Sequence, residues 1–255
     1  MQFPQYAAHA DMEERHWWFL ARRQILRALL HEILPPSKSV HLIDVGCGTG
    51  GLTHFLSEDY HVTGIDPSAD AIMFARERFP SQTFIHGYAP KDVPDFHQAD
   101  AVLLIEVLEH IEHDQEFVRD LLENMKPGAV LVMMAPADMS LWGPHDDAFE
   151  HFRRYDSREE FRNLWKGTDS EELLVSFCNS RLYPVVKLMR KLSALRGKAW
   201  GKGGTDIGVP MKPLNVALRK IYESEAPVLH QLLRGEKRHG LQKGVSLIAI
   251  LRKHL

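Results

Sequence analysis

A short apolar run that ends in glycines constrains this chain most. Val40 to Val45 is mostly apolar and β-branched, the pattern of a short buried strand. Gly46, Gly48, Gly50 and Gly51 follow, and Leu52 to Ser57 reads as the start of a helix. Glycine lets the backbone turn sharply and lets a ligand come close to the main chain. The first N–H groups of the helix then point into the turn. A second strand, starting at His61, ends at Asp66, where an acid can accept both hydroxyls of a ribose. Gly46, Gly48 and Gly51 satisfy the GxGxxG spacing, so an NAD-dependent dehydrogenase is one reading.

Asp44 argues for another. It lies inside the strand, two residues before the first glycine, where a dinucleotide-binding strand carries an apolar residue. A carboxylate there suits a cationic ligand or an amino group. The string Asp44-Val-Gly-Cys-Gly-Thr-Gly, followed by Gly64-Ile-Asp66-Pro-Ser, resembles the class I S-adenosylmethionine-dependent methyltransferases, of the type 11/12-like group. The resemblance implies an α/β fold with a Rossmann-like seven-stranded sheet in the order 3-2-1-4-5-7-6, strand 7 antiparallel. It also implies S-adenosyl-L-methionine as cofactor, with Asp44, Gly46, Cys47, Gly48, Asp66 and Pro67 around it. A protein that binds this cofactor without catalysis is a third reading.

The next segments fit the same plan. Pro67 and Ser68 open a helix that Pro80 stops, and Thr83 to His86 reads as a third strand. In the family this strand end lies beside the adenine and carries Asp-Ala or Asn-Ala. Here Tyr88 stands in the acidic or amide slot, so a backbone contact through Tyr88 or Ala89 is expected instead. Ala101 to Ile105 is continuously apolar, hence a strand buried on both faces. It ends in Glu106-Val-Leu-Glu-His-Ile111, similar to the family's fourth strand end. The similarity implies Glu106 and Val107 at the cofactor's methionine end and His110 toward the substrate cleft. An amphipathic helix over Asp114 to Met125 and a fifth strand over Ala129 to Ala135 follow.

The flanks carry two further signals. Asp11 to Leu34 reads as one helix, capped by Asp11 and ended by Pro35-Pro36. Its HWWFxxRR string resembles a subgroup of bacterial class I methyltransferases, in which this helix helps close the site. Trp17 would then contact the sulfonium or adenine and Arg23 a carboxylate; amphipathic packing with solvated arginines is the alternative. After the fifth strand, residues 136–156 are polar, aromatic and rich in histidine. His145, Asp146 and His151 can form an acid/base set, and with His110 they supply the candidate catalytic histidines. Their spacing fits no metal motif, so no metal site is expected. A structural role, with His151, Arg153 and Arg154 bonding loop carbonyls, is the other reading.

Ser157 to Glu160 caps a helix that runs through Trp165. Leu173 to Cys178 and Val245 to Arg252 read as strands six and seven, enclosing an insertion. Within it, Pro184 to Leu195 and Asn215 to Leu233 read as helices around a glycine-rich loop, Gly197 to Pro213. Lys187, Arg190, Lys191, Arg196, Lys198 and Lys202 meet no acid nearby. Residues 187–202 are therefore read as a contact for a membrane surface or an anionic substrate, as a solvated face, or as a subunit contact.

The 255 residues suit a single methyltransferase domain: 1–36 an N-terminal lid helix, 37–178 and 245–255 the core, and 179–244 a cap over the substrate pocket. A formal net charge of −3 gives no global field for nucleic acid, and no basic stripe with interleaved aromatics is present. Two cysteines, Cys47 and Cys178, make no disulfide framework. The first residues lack the basic flank and apolar run of a signal peptide, so a cytoplasmic protein is expected. The oligomeric state, a homodimer included, stays open. The expected function is in-line methyl transfer to an oxygen or nitrogen of a small-molecule acceptor, with a histidine as base.

Overall fold

The computed structural model describes residues 3–196 and 208–255, with side chains from Tyr6 to Leu192 and from Gly208 onward. The strands are β1 (His41–Val45), β2 (His61–Asp66), β3 (Thr83–His86), β4 (Ala101–Ile105), β5 (Val130–Pro136), β6 (Ser170–Cys178) and β7 (Ser246–Lys253). They form one sheet in the order β3-β2-β1-β4-β5-β7-β6. β1 to β5 pair in parallel, and β7 runs antiparallel between β5 and β6. This is the arrangement that the family resemblance implies. β4, β5 and most of β7 are buried along their length, which is why they read as unbroken apolar runs.

The parallel register brings the carboxyl ends of four strands to one edge. Val45 lies opposite Ile65 and Leu104, and Ile105 lies opposite Met134. Asp44, Asp66, Glu106 and the loop after β5 therefore share the edge at which open α/β sheets hold ligands. One face of the sheet is covered by α5 (Asp114–Asn124), through Val118, Leu121 and Leu122. The other is covered by α2 (Trp17–Ile33), through Ile25, Leu26, Leu29 and Leu30.

Where one N-terminal helix is expected there are two, α1 (Phe3–Arg15) and α2. His16 between them is extended, and its Nδ1 accepts the N–H of Trp18 at 3.3 Å. A histidine, not Asp11, is thus the N-cap of α2. The insertion supports this break, since Asn215 accepts the N–H of Trp17 at 2.9 Å and donates to the Arg15 carbonyl at 2.7 Å.

The insertion also differs from expectation. After α3 (Gly51–Leu56), α4 (Ala69–Arg78), α6 (Pro144–Ala148) and α7 (Arg158–Arg162), it contributes α8 (Tyr183–Arg196), α9 (Lys212–Glu223) and α10 (Ala226–Leu233). The single helix expected over Asn215 to Leu233 is divided because Pro227 has no N–H to continue the ladder of α9. Glu225 fills the break, fully buried, and accepts the N–H of Arg181 at 2.7 Å. The basic run does meet acids: Lys187 lies 3.3 Å from Asp138, and Arg190 3.5 Å from Asp146. Those acids are far away in sequence, which is why a local reading of charge misses them. Lys198, Lys202 and most of the glycine-rich loop lie outside the described residues, as does the side chain of Arg196. Among the described residues no helix is long and apolar enough to cross a membrane.

Candidate functional site

The glycine turn is tied to the neighbouring strand by Gly46 and Cys47, whose N–H groups both donate to the Ile65 carbonyl, at 2.8 and 3.1 Å. A Cβ at Gly46 would come within 2.5 Å of Val107, and one at Gly50 within 2.6 Å of Phe84. Gly48 is different. It has φ +52° and nothing within 4 Å of where its Cβ would stand. Open space therefore borders the main chain there, which is the approach a ligand needs.

Asp66 faces the same place. Its Oδ2 accepts the Gly48 N–H at 3.0 Å and its Oδ1 the Ser68 N–H at 2.8 Å. Each carboxylate oxygen has a second lone pair, so the group can still accept a pair of hydroxyls. Burial pushes the Asp66 carboxyl up, against the pull of these two N–H groups. Asp44 is 3% exposed and accepts the Thr53 hydroxyl at 2.6 Å. Burial pushes its carboxyl up to about 7. The open main chain at Gly48, flanked by two strand-end acids, fits a nucleoside that carries a positive charge.

The other expected cofactor residues are placed as follows. The Cys47 thiol packs among Ile72, Ala75 and Phe84, so only its main chain faces the turn. The Pro67 carbonyl is bonded by His86 Nε2 at 3.1 Å. Tyr88 is exposed, and its backbone exchanges two hydrogen bonds with Asp92, at 2.9 and 2.8 Å. Ala89 is buried beneath it. Glu106 takes φ +59°, a conformation rare without glycine, and Val107 seals the turn against Gly46.

Trp17 and Arg23 do not lie where the lid reading expects them. Trp17 packs edge-on against Tyr222 of α9, and the Arg23 guanidinium sits over Phe55 of α3 at 4.7 Å. Their helical neighbours Trp18 and Arg22 lie nearer the sheet edge, beside Glu106. Arg22 lies over Trp18 at 4.2 Å, with its Nη1 3.6 Å from Glu106 Oε1. One residue turns the helix by about 100°, and the sequence pattern does not say which face meets the sheet edge.

The helix that packs on the glycine turn is α1. Glu13 accepts the Thr49 hydroxyl and also the Arg78 guanidinium at 2.9 Å, while Arg78 donates to the Thr49 carbonyl at 2.8 Å. Tyr6 and Ser68 share a hydroxyl bond of 2.7 Å. Glu13 reads in sequence only as an acid in a helical turn, and Arg78 as a surface residue; nothing local links them.

The three candidate histidines do come together. The His110 and His151 rings are 4.7 Å apart, and those of His145 and His151 5.9 Å. His151 Nδ1 lies 3.1 Å from Asp146 Oδ1, and an ionised carboxylate only accepts, so Nδ1 carries the proton. Asp146 also accepts from Arg154 Nε at 2.7 Å and from the Gly143 N–H at 2.9 Å. Burial pushes the Asp146 carboxyl up, but the His151 bond and Arg154 outweigh it and hold it well below the usual range. Burial, then Arg190, lowers His145 to about 3. The atoms packed round His110, then His151, lower its pKa too.

The structural reading of this loop holds for its two arginines, whereas the His151 side chain bonds the Asp146 carboxylate rather than a carbonyl. Arg153 donates to the Glu112 carbonyl at 2.7 Å and Arg154 to the Ala137 carbonyl at 3.1 Å. The Phe152 N–H donates to the Glu109 carbonyl at 2.7 Å, which seats the loop on the turn after β4. Glu109 itself is 1% exposed. Burial, then neighbouring Glu106, raises its carboxyl well above the usual range. The sequence reading quotes it within the strand-end motif but assigns it no part.

Residues 43–131 match the family model described as "Methyltransferase domain". The trans-aconitate 2-methyltransferase of Paracidovorax citrulli is 33% identical over 118 residues, 42% of this chain and 44% of that protein. The 2-methyl-6-phytyl-1,4-hydroquinone methyltransferase of a Synechocystis species is 35% identical over 123 residues, 46% of this chain and 36% of that one. The chain thus spans less than half the length of these curated relatives. Among solved structures, the plantazolicin methyltransferase BamL, in complex with a triazolic desmethylPZN analog and SAH, has TM-score 0.59 at 15% identity, covering 99% of this chain and 91% of that one. The putative methyltransferase bound to the Haloferax volcanii Trm112 activator has TM-score 0.59 at 16% identity, covering 100% and 98%. At these identities the likeness is one of fold. Fold and turn together define a Rossmann-like methyltransferase architecture. Over residues 43–131 the chain is similar to the methyltransferase domain family.

Proposed function

We propose that the protein transfers a methyl group from S-adenosylmethionine to an oxygen or nitrogen of a small-molecule acceptor. The observation that carries this is the open main chain at Gly48 beside Asp66, whose oxygens each keep a lone pair after taking one backbone N–H. S-adenosylmethionine would supply a methyl on a positively charged sulfur, which leaves as a neutral thioether. Asp66 holds the ribose hydroxyls, and Gly46, Cys47, Gly48 and Pro67 line the cradle with main chain. Tyr88 and Ala89 border the adenine through their backbones. Asp44 and Glu106 face the cationic end, with Val107 closing the turn behind them. Trp17 and Arg23 act at one remove, by seating α2 on α9 and α3. α1, latched through Glu13, keeps water out.

The acceptor's O–H or N–H bond gives up its proton, its lone pair forms the new bond to the methyl carbon, and the carbon–sulfur bond breaks as the sulfur charge is cancelled. His151 takes the proton, because Asp146 stabilises the imidazolium that forms. His110 and His145, held neutral, orient the acceptor. The described helices α8 to α10 act as a cap on the same edge, with α8 reaching the histidine loop through Arg190. A small acceptor is supported by the relatives, named for trans-aconitate and a methyl-phytyl-hydroquinone. Free Cys47 and Cys178, both buried, accord with a cytoplasmic location.

Calorimetry with S-adenosylhomocysteine tests the reading. One site is expected, as is release of S-adenosylhomocysteine from S-adenosylmethionine with some member of an acceptor panel. Binding without turnover across the panel would favour a non-catalytic protein. Binding of NAD in its place would favour a dehydrogenase.

A further inference from the structure

We propose that Glu109, His110 and His151 form a site for a divalent first-row transition-metal ion on the acceptor side of the edge. Each offers one ligand atom, and these atoms lie within 4.8 Å of one another. Metal–ligand distances of about 2.0–2.2 Å set ligand atoms roughly 3–4 Å apart, so a small contraction closes the site.

A second observation is independent of that clustering. Glu109 is 1% exposed, and its Oε2 is buried without a hydrogen-bond partner. An orphaned carboxylate oxygen in the interior is costly and calls for a partner. Glu106 Oε1 beside it is also buried with no hydrogen bond, Arg22 standing off at 3.6 Å. A dication held with His110 and His151 would answer the Glu109 oxygen.

The imidazoles are prepared for it. Asp146 holds the Nδ1 proton of His151, leaving the Nε2 lone pair free. The His110 ring is bonded to the backbone of Phe149 through one nitrogen, leaving the other. Ligating histidines are commonly fixed in this way by an oxygen on the far nitrogen. Two nitrogen donors with a carboxylate select zinc- or iron-like ions over manganese, calcium or magnesium. His110 is exposed, so the ion has a path in from solvent. Three protein ligands leave positions for an acceptor's oxygens. The role, though not the site, rests on the proposed methyl transfer: a cation there would lower the pKa of the acceptor's hydroxyl, so that the proton leaves to solvent when the ion is bound and to His151 when it is not.

The test uses the full chain, dialysed against a chelator and titrated with Zn²⁺, Mn²⁺ and Mg²⁺. Expected are one tight Zn²⁺ per chain by calorimetry, weaker Mn²⁺ and much weaker Mg²⁺, a Co²⁺ visible band and a melting temperature that a chelator lowers again. Glu109→Gln and His151→Gln should each weaken binding at least about tenfold, with S-adenosylhomocysteine binding retained as proof of folding. His110→Gln, on an exposed residue, is the variant least able to disturb the fold. His239→Ala, on an exposed loop histidine, should change nothing. The proposal is overturned if the parent binds no ion stoichiometrically, or if these ligand variants bind as the parent does. Loss of S-adenosylhomocysteine binding by the parent would sink the methyl-transfer reading instead, and leaves the ion titration to be judged alone.

Discussion

Thr53 donates its hydroxyl to Asp44 across 2.6 Å inside the protein, so α3 holds the acid that faces the glycine turn from β1. The bond favours the charged carboxylate, and burial opposes it more strongly, leaving Asp44 at about 7. The folded chain therefore binds a proton that the unfolded chain releases near 3.8. Stability from this group is full below that value and is lost as pH rises to about 7. Asp44→Asn should be more stable than the parent near pH 8, by about 1–3 kcal/mol, while binding S-adenosylhomocysteine less well. The parent's affinity should rise with pH up to about 7, by no more than about tenfold per unit; the variant's should be flat. Urea denaturation and calorimetry at three pH values check both.

Asp66→Ala removes the acceptor of the Gly48 and Ser68 N–H groups together with the ribose contact. A loss of S-adenosylhomocysteine affinity of at least about tenfold is expected, from charge-assisted hydrogen bonds of about 1.5–3 kcal/mol. Parent-like affinity in a folded Asp66→Ala protein would refute the assignment.

Glu13→Gln should loosen α1 from the glycine turn, because Glu13 joins Thr49 to Arg78. Hydrogen exchange over the α1 amides should quicken while that of β4 and β5 stays slow. Unchanged α1 protection would show that the latch is held by other contacts.

Gly50→Ala should cost about 1–3 kcal/mol. Its φ is +79°, and the new methyl would meet Phe84 at 2.6 Å. Gly48→Ala is the informative partner. It pays for backbone strain alone, so it should destabilise less and impair S-adenosylhomocysteine binding more.

His16 is buried and lowered to about 4 by that burial. Between 6.5 and about 4 the unfolded chain takes up a proton that the folded chain refuses, so the contribution of His16 is lost as pH falls through this window. Asparagine also caps helices, so His16→Asn should keep α2 while shrinking the fall in urea midpoint between about pH 6.5 and pH 4.5. An equal fall in parent and variant would place the acid sensitivity elsewhere.

Much of the core was legible from local pattern. Thr83 to His86 and Ala101 to Ile105 are strands at the expected residues, and Ser68 caps α4 by accepting the Ala71 N–H. Burial on both faces writes itself into β4 as an unbroken apolar run. The break at His16 was not legible, because helix propensity continues through it; Asn215 supplies its partners from elsewhere in the chain. The break at Ser224 has a local cause in Pro227, and what the sequence did not show is that Arg181 gives the buried Glu225 a partner there. β6 begins at Ser170, before its apolar run, because an edge strand can hydrogen-bond to β7 while its side chains face water.

The sequence by itself determined the glycine turn, the acids at the ends of β1 and β2, and so the class of ligand the edge can hold: these depend on neighbours a few residues apart. Only the tertiary structure decided that Arg22 rather than Arg23 meets Glu106, and that Glu109 and His110 meet His151. The latter pairing needs the loop after β5 to fold back onto the turn after β4, through the Phe152 N–H and the Glu109 carbonyl. Backbone bonds of that kind carry no side-chain signature, so no pattern along the chain announces them.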